Sequence, residues 1–450
     1  MNSSHPEPGI KPINQPAKQT LTERDSQVIW HPYTQHKNML SPVPVIQGKG
    51  SLLFDDQGQG YIDAISSWWV NIHGHAHPYI AEKIYEQARK LEHVIFTGFT
   101  HEPAVRLAER LLEILPGDFS RIFYSDNGST AVEAAIKMAI QYWRIQSKPR
   151  NKILAFRHSY HGDTFGAMSV SERSLFTAAF WDHLFEVVFI DTPTEENYLE
   201  TIEQVRRLSG QIACFIYEPL LQAAGGMRIY EAGPMDRLLE AVRSEGILCI
   251  ADEVLTGFGR TGRLFASEYL QNRSDIICLS KGLTGGTMAL GVTACTPRVF
   301  EAFLSDDKTN TFFHGHSFTA NPLACSASLA SLDLLEVPAC RERIGEIGLK
   351  HGEFAKRIAK YPSVRNARSI GTIVAFEVNT GRDEYINEVG ATITRDSMRH
   401  GIYLRPLGNT VYIMPPYCIT NPELDKVYEF LEGCIGHQFS QPLSDLKTTE

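Results

Sequence analysis

Residues 246–286, GILCIADEVLTGFGRTGRLFASEYLQNRSDIICLSKGLTGG, set the tightest limit on what this chain can fold into. Two short apolar, β-branched runs, 247–251 and 275–279, are each stopped by polar residues and then by glycine, the pattern of buried strands in an α/β sheet. Asp252 and Lys281 stand just past the ends of those runs. In an open α/β sheet, ligands bind in the crevice beyond the carboxyl ends of the strands. An acid and an amine placed there point to chemistry. Taken singly, each is equally well explained as a loop cap or a solvated charge, so the rest of the chain must decide.

From about residue 80 to about 330, strand, helix and glycine-rich turn alternate, which predicts a large α/β domain with a mainly parallel sheet flanked by helices. Helical spacing covers 78–91 and 102–115, with Pro116-Gly117 as a stop. Residues 121–145 then read as a strand, a polar turn and a helix whose buried stripe is Val132, Ile136, Ala139, Ile140 and Trp143. At the helix start, Asp126 to Thr130 supplies Gly128 for close backbone approach, the hydroxyls of Ser129 and Thr130, and a Thr130/Glu133 capping-box spacing. Free N–H groups and the helix dipole there suit a phosphate ester. The GxxxxGK[ST] order is absent, so a nucleoside triphosphate is not implied. The next apolar run, from Lys152, ends in a loop offering Tyr160, His161 and Asp163, and a further strand over 212–217 ends in Glu218-Pro219.

Turn signals at 48–50 and 56–60 separate short alternating stretches and predict a small antiparallel sheet. The tail, with GTIVAFEV and GIYLRPLGNTVYIMPPY before a final helix, reads as an α+β unit. A small domain is therefore expected from both chain ends, 21–77 and 336–450, around a large domain at 78–335. The polar, Pro-rich opening over 1–20 lacks an apolar core and reads as a disordered leader rather than a signal peptide or membrane anchor. With a net charge of −9 and no dense basic run, nucleic acid is disfavoured as a partner. Eight cysteines without a CxxC pair read as buried thiols, which predicts a reducing, cytoplasmic setting.

A rival reading attaches to His73, His75 and His77. Alternating histidines on a strand share one face, as a metal site requires, and would suit a metal-dependent hydrolase. Against it, Gly74 and Pro78 break the strand, and a closed site would still need further histidine or carboxylate ligands at strand ends.

A lysine amine condenses with an aldehyde. Pyridoxal phosphate offers that aldehyde, a phosphate, and a ring nitrogen whose proton a carboxylate can hold. One cofactor thus uses the lysine, the acid, the helix start and the aromatic loop together. The pair IADEVLTGFGRTG at 250–262 and LSKGLTGG at 279–286 resembles the signature of the class III aminotransferases of fold type I, over nearly the whole chain from about Trp30. The narrower likeness is to the members acting in biotin biosynthesis. It is carried by IWHPYTQ at 29–35, ISSWWVNIHGH at 65–75, AIKMAIQYW at 135–143, RHSYHGDTFGAMSV at 157–170 and LRPLGNTVYIMPPY at 404–417.

The resemblance implies a homodimeric enzyme that moves an amino group from S-adenosylmethionine to 8-amino-7-oxononanoate, giving 7,8-diaminononanoate, through alternating pyridoxal and pyridoxamine forms. Other omega-aminotransferases, acting on ornithine, γ-aminobutyrate or a diamine, are the alternative within the class. By the same resemblance Lys281 would bond the cofactor's aldehyde carbon and then shuttle a proton, and Asp252 would hold the ring-nitrogen proton. Gly128 and Ser129 would bind the phosphate, and Tyr160 would stack on the ring. Tyr33 and Trp68 would line the substrate pocket and Arg405 would grip the substrate carboxylate. Gly315, His316 and Ser317 would reach in from the neighbouring subunit. Relatives commonly carry Gly-Pro-Thr where this chain has Gly315-His316-Ser317, and a phenylalanine where it has Leu407.

Overall fold

A computed structural model describes residues 19–379 and 388–439. The expected leader lies outside the described residues apart from Gln19 and Thr20, and Thr20 caps the helix Leu21–Val28 through Glu23. Residues 440–450 of the expected C-terminal segment also lie outside them.

Seven strands form the central sheet, in the order Arg121–Ser125, Gly291–Cys295, Ile276–Leu279, Leu248–Asp252, Ile212–Tyr217, Lys152–Phe156, Val187–Ile190. Only Gly291–Cys295 runs against its neighbours; the others are parallel, so the expected mainly parallel sheet is present. Its inner strands are buried on both faces, which is why they read as unbroken apolar runs. Asp252 closes its strand rather than following it, and Asp275 precedes its own, taking the N–H of Cys249 on its carboxylate at 2.9 Å.

The helix Gly128–Ile145 lies on one face of this sheet, where Val132, Ile136, Ala139 and Trp143 meet Ile153, Ile216 and Ile250. The Trp143 indole N–H donates to the Ala213 carbonyl at 2.7 Å. Ile140 departs from the expected stripe and is 38% exposed. The buried arc is centred on the small side of the helix, at Ala131, Ala135 and Tyr142, and Ile140 lies well round from it at 100° per residue.

In the other unit, Ile402–Tyr403 runs parallel to Gly60–Asp63, joining the meander Val45–Lys49, Leu52–Asp55, Gly60–Asp63. One core takes Ile62 and Trp69 from early in the chain and Phe354, Val411 and Tyr428 from late in it. There Phe354 stacks on Tyr428 at 4.3 Å between the helices Pro338–Ile358 and Asn421–Gln438. Among the described residues no single helix is long and apolar enough to cross a membrane.

His351 sits wholly buried beside that stack, its Nδ1 at 2.7 Å from the Tyr428 hydroxyl and its Nε2 at 3.2 Å from the Thr372 carbonyl. Burial pushes its pKa down from 6.5 to about 3. An unfolded chain takes up this proton near pH 6.5 while the folded chain resists it, so stability falls as pH drops from 6.5 toward 3. His351→Gln is expected to flatten that loss, by on the order of a few kcal/mol at the acid end. Urea midpoints of both proteins between pH 4 and pH 7 measure it, with pH values chosen to span roughly the histidine range.

Candidate active site

Because the strands ending in Asp252 and Leu279 are parallel neighbours, Asp252 and Lys281 arrive at the same end of the sheet. Both line a cavity of about 750 Å³, together with Gly128, Ser129, Tyr160 and Trp68. Six of the residues singled out from the sequence are thus brought to one place.

Asp252 is buried and held through both oxygens: Oδ2 accepts from His161 Nδ1 at 2.7 Å, and Oδ1 accepts from the Val254 N–H at 3.0 Å. The Lys281 amine stands 5.0 Å from the Trp69 ring centroid. Burial lowers the amine's pKa, with Asp252 and Glu218 pulling the other way. A desolvated lysine has more of the neutral, nucleophilic form.

At the helix start the cap differs from the one expected. Asn127 is the N-cap, its Oδ1 accepting from the Thr130 N–H at 3.0 Å while Thr130 Oγ1 accepts from the Asn127 N–H at 2.9 Å. Glu133 is engaged elsewhere, accepting from the Thr164 hydroxyl and the Gly166 N–H at 2.6 and 2.7 Å. Gly128 and Ser129 therefore open the helix with N–H groups that have no intrahelical acceptor. The loop after Lys152–Phe156 closes over this start. A Cβ on Gly162 would lie 2.1 Å from Ser129 Oγ, and one on Gly128 would lie 2.7 Å from Val254 Cγ1. Only glycine lets these segments pack this closely, with Gly128 and Ser129 lining the cavity at the helix start, where N–H groups suit an anion.

In the same loop the Tyr160 N–H donates to Glu218 Oε1 at 3.0 Å, and the Ala223 N–H donates to Glu218 Oε2 at 3.0 Å. Burial pushes Glu218 up to about 7, and the nearby Asp252 acts in the same direction against His161. Burial, with Asp163 and Tyr33 beside it, holds the Tyr160 phenol well above its usual pKa.

At the rim, Arg405 lies 4.5 Å from the Trp68 ring centroid, and the Tyr33 ring lies 5.7 Å from Trp68. Tyr33 Oη donates to Asp163 at 2.6 Å. Leu407 faces away, packed against the core of the smaller unit. Gly315, His316 and Ser317 do not line this cavity within the chain. His316 instead stands 3.3 Å from Asp126 and 3.2 Å from His314, one step from the helix start.

Sequence reasoning assigns no role to His161, Glu218 or Arg260. His161 meets Asp252 from 91 positions away. Their strands flank Ile212–Tyr217 in the sheet, an order no local spacing encodes. Arg260 is almost wholly buried, its Nη1 donating to the Pro415 carbonyl at 2.8 Å, so it ties its loop to 415–417. The three histidines of the rival reading lie on a turn. His73 Nε2 is 3.0 Å from the Ser331 hydroxyl and His75 Nε2 is 2.9 Å from Asp63. Among the described residues no group of three His, Cys, Asp or Glu could hold a metal ion.

An amine, a carboxylate fixed by a histidine, an aromatic loop and an anion cradle around one cavity fit pyridoxal phosphate. Gly162→Ala is expected to weaken pyridoxal phosphate binding about tenfold, by driving Ser129 from the cradle, and to leave phosphate-free pyridoxal little changed. Equilibrium titration of the apoprotein with both compounds checks this.

The sequence profile described as Aminotransferase class-III matches residues 33–435. A protein of Synechococcus elongatus named adenosylmethionine-8-amino-7-oxononanoate aminotransferase is 47% identical over 411 residues, covering 89% of this chain and 96% of that one. The crystal structure of a protein of the same name from Methanocaldococcus jannaschii superposes with a TM-score of 0.88 at 34% identity, covering 92% of this chain and 98% of that one. A PLP-bound amine transaminase from an uncultivated Pseudomonas species superposes with a TM-score of 0.84 at 29% identity, covering 91% and 98%.

Proposed function

The chain belongs to the class III aminotransferases, and we propose that it moves an amino group from S-adenosylmethionine onto 8-amino-7-oxononanoate in biotin biosynthesis. Pyridoxal phosphate is its cofactor, and it is a transaminase of fold type I. The observation that carries the reading is the convergence of Lys281, Asp252 and the Gly128–Ser129 helix start on one cavity whose rim bears Arg405 against Trp68. Relatives that match almost end to end bear the biotin-pathway name.

When bound, the cofactor supplies an aldehyde that takes up an amine and a ring that draws electrons from the adjacent carbon. The protein's part is binding and proton management. Lys281 would hold the cofactor through its Nζ, and the same amine, when free, would serve as the base that moves the proton at the reacting carbon. Asp252 would hold the proton on the ring nitrogen, and His161 keeps that carboxylate in place. Gly128 and Ser129 would bind the phosphate, and Tyr160 would pack against the ring. Arg405 offers a planar fork to the oxononanoate carboxylate, with Trp68 and Tyr33 as the apolar walls along its chain.

Gly315, His316 and Ser317 complete the phosphate site from a second subunit, in a homodimer working in the cytoplasm. This part of the reading rests on the family resemblance alone; within its own chain His316 stands beside Asp126.

Mixing the holoenzyme with candidate donors and following the cofactor's visible band tests the reading. S-adenosylmethionine is expected to convert the band to the amine form, and the oxononanoate to restore it. No response to the oxononanoate contradicts the biotin assignment, and a response to ornithine or γ-aminobutyrate in its place favours the other members of the class. Arg405→Ala is expected to raise KM for the oxononanoate roughly 10- to 100-fold, the worth of a charge-assisted pair. Lys281→Ala is expected to abolish both turnover and the lysine-bound visible band.

A further inference from the structure

Ser66, Ser67 and Trp69 all adopt positive φ, at 54°, 57° and 67°, within four residues. Non-glycine side chains resist this region, and such strain persists only where surroundings enforce it. The enforcing group is Asp63, the last residue of Gly60–Asp63, with no exposed surface. Its Oδ2 accepts from the Ser67 N–H at 2.7 Å, the Ser67 hydroxyl at 3.2 Å and His75 Nε2 at 2.9 Å, and its Oδ1 accepts from the Ile65 N–H at 3.3 Å.

His75 is itself fixed. Asn71 Nδ2 donates to its Nδ1 at 3.1 Å, which leaves the proton on Nε2 to face Asp63. Its backbone bridges to Gly50, and a Cβ on Gly48 would lie 2.5 Å from the His75 Cβ, so only glycine leaves the ring its place.

The strained turn presents two consecutive indoles to the two ends of the site. Trp68 lies 4.5 Å from the Arg405 guanidinium, and Trp69 lies 5.0 Å from the Lys281 amine. The Trp69 N–H is anchored on the Tyr412 hydroxyl at 2.8 Å, and the Ser66 hydroxyl donates to the Met414 carbonyl at 2.8 Å. One rigid turn therefore spans from the arginine to the lysine.

We propose that Asp63 and His75 are positioning residues that lock the Ser66–Trp69 turn and so fix the reach between Arg405 and Lys281, making the site select substrates by the length between carboxylate and reacting amine. This rests on the roles proposed above for Arg405 and Lys281. It also gives the HGHAH segment a use other than metal binding.

The test is spectral titration of the holoenzyme with three diamines: 7,8-diaminononanoate, its homologue shorter by one methylene, and carboxylate-free 2,3-diaminononane. The wild type is expected to prefer the first over both others. His75→Ala is expected to cut the preference for the correct chain length about tenfold while its affinity for 2,3-diaminononane stays within about twofold. His75→Gln, which can still donate to Asp63, is expected to retain the wild-type preference. Should His75→Ala not yield folded holoenzyme, Asp63→Asn, of equal size and with one acceptor oxygen kept, is expected to show the same selective loss. An unchanged length preference, or equal weakening of all three ligands, overturns the positioning role. A wild type indifferent to the carboxylate removes the Arg405 reading, and this inference with it.

Discussion

The site depends on keeping an amine and a carboxylate out of bulk water at the ends of two adjacent parallel strands. Burial works against the charged form of Lys281 and lowers its pKa, while Asp252 and Glu218 work for that form. Asp252 answers the same constraint differently, through His161 on one oxygen and a backbone N–H on the other. The sheet makes both possible. With six of the seven strands parallel, the loops that follow them open at one end, and the apolar strands beneath exclude water from it.

How much of this was legible in the sequence follows from where each signal lies. Apolar runs broken by a polar residue and glycine mark strand ends, so Asp252 and Lys281 could be placed to within a residue, and alternation of strand and helix disclosed the sheet type. The helix after Asp126 was legible from its periodicity, but two of its details were not. Thr130 and Glu133 have capping-box spacing, yet the loop carrying Thr164 and Gly166 outbids the helix start for Glu133. Ile140 satisfies the apolar period, yet alanines on the other side of the helix let the sheet approach there. Contacts such as His161 with Asp252 and Tyr160 with Glu218 depend on strand order, which is set by packing of the whole sheet.

The histidine segment shows how a spacing argument turns on the backbone it assumes. On a strand, His73, His75 and His77 would share a face. In the fold Gly74 and Ala76 have φ of 90° and 50°, which turns the chain and sends His73 to Ser331 and His75 to Asp63. Burial lowers the pKa of His73 to about 4, so it sits in the fold as a neutral packing group.

The roles given to these residues all turn on one covalent bond, between Lys281 and the cofactor. Borohydride reduction of the holoenzyme followed by peptide mass mapping fixes the cofactor to whichever lysine holds it. The pyridoxyl mass is expected on the peptide containing Lys281 and on no other; the label on a different lysine, or on none, would contradict the role of Lys281.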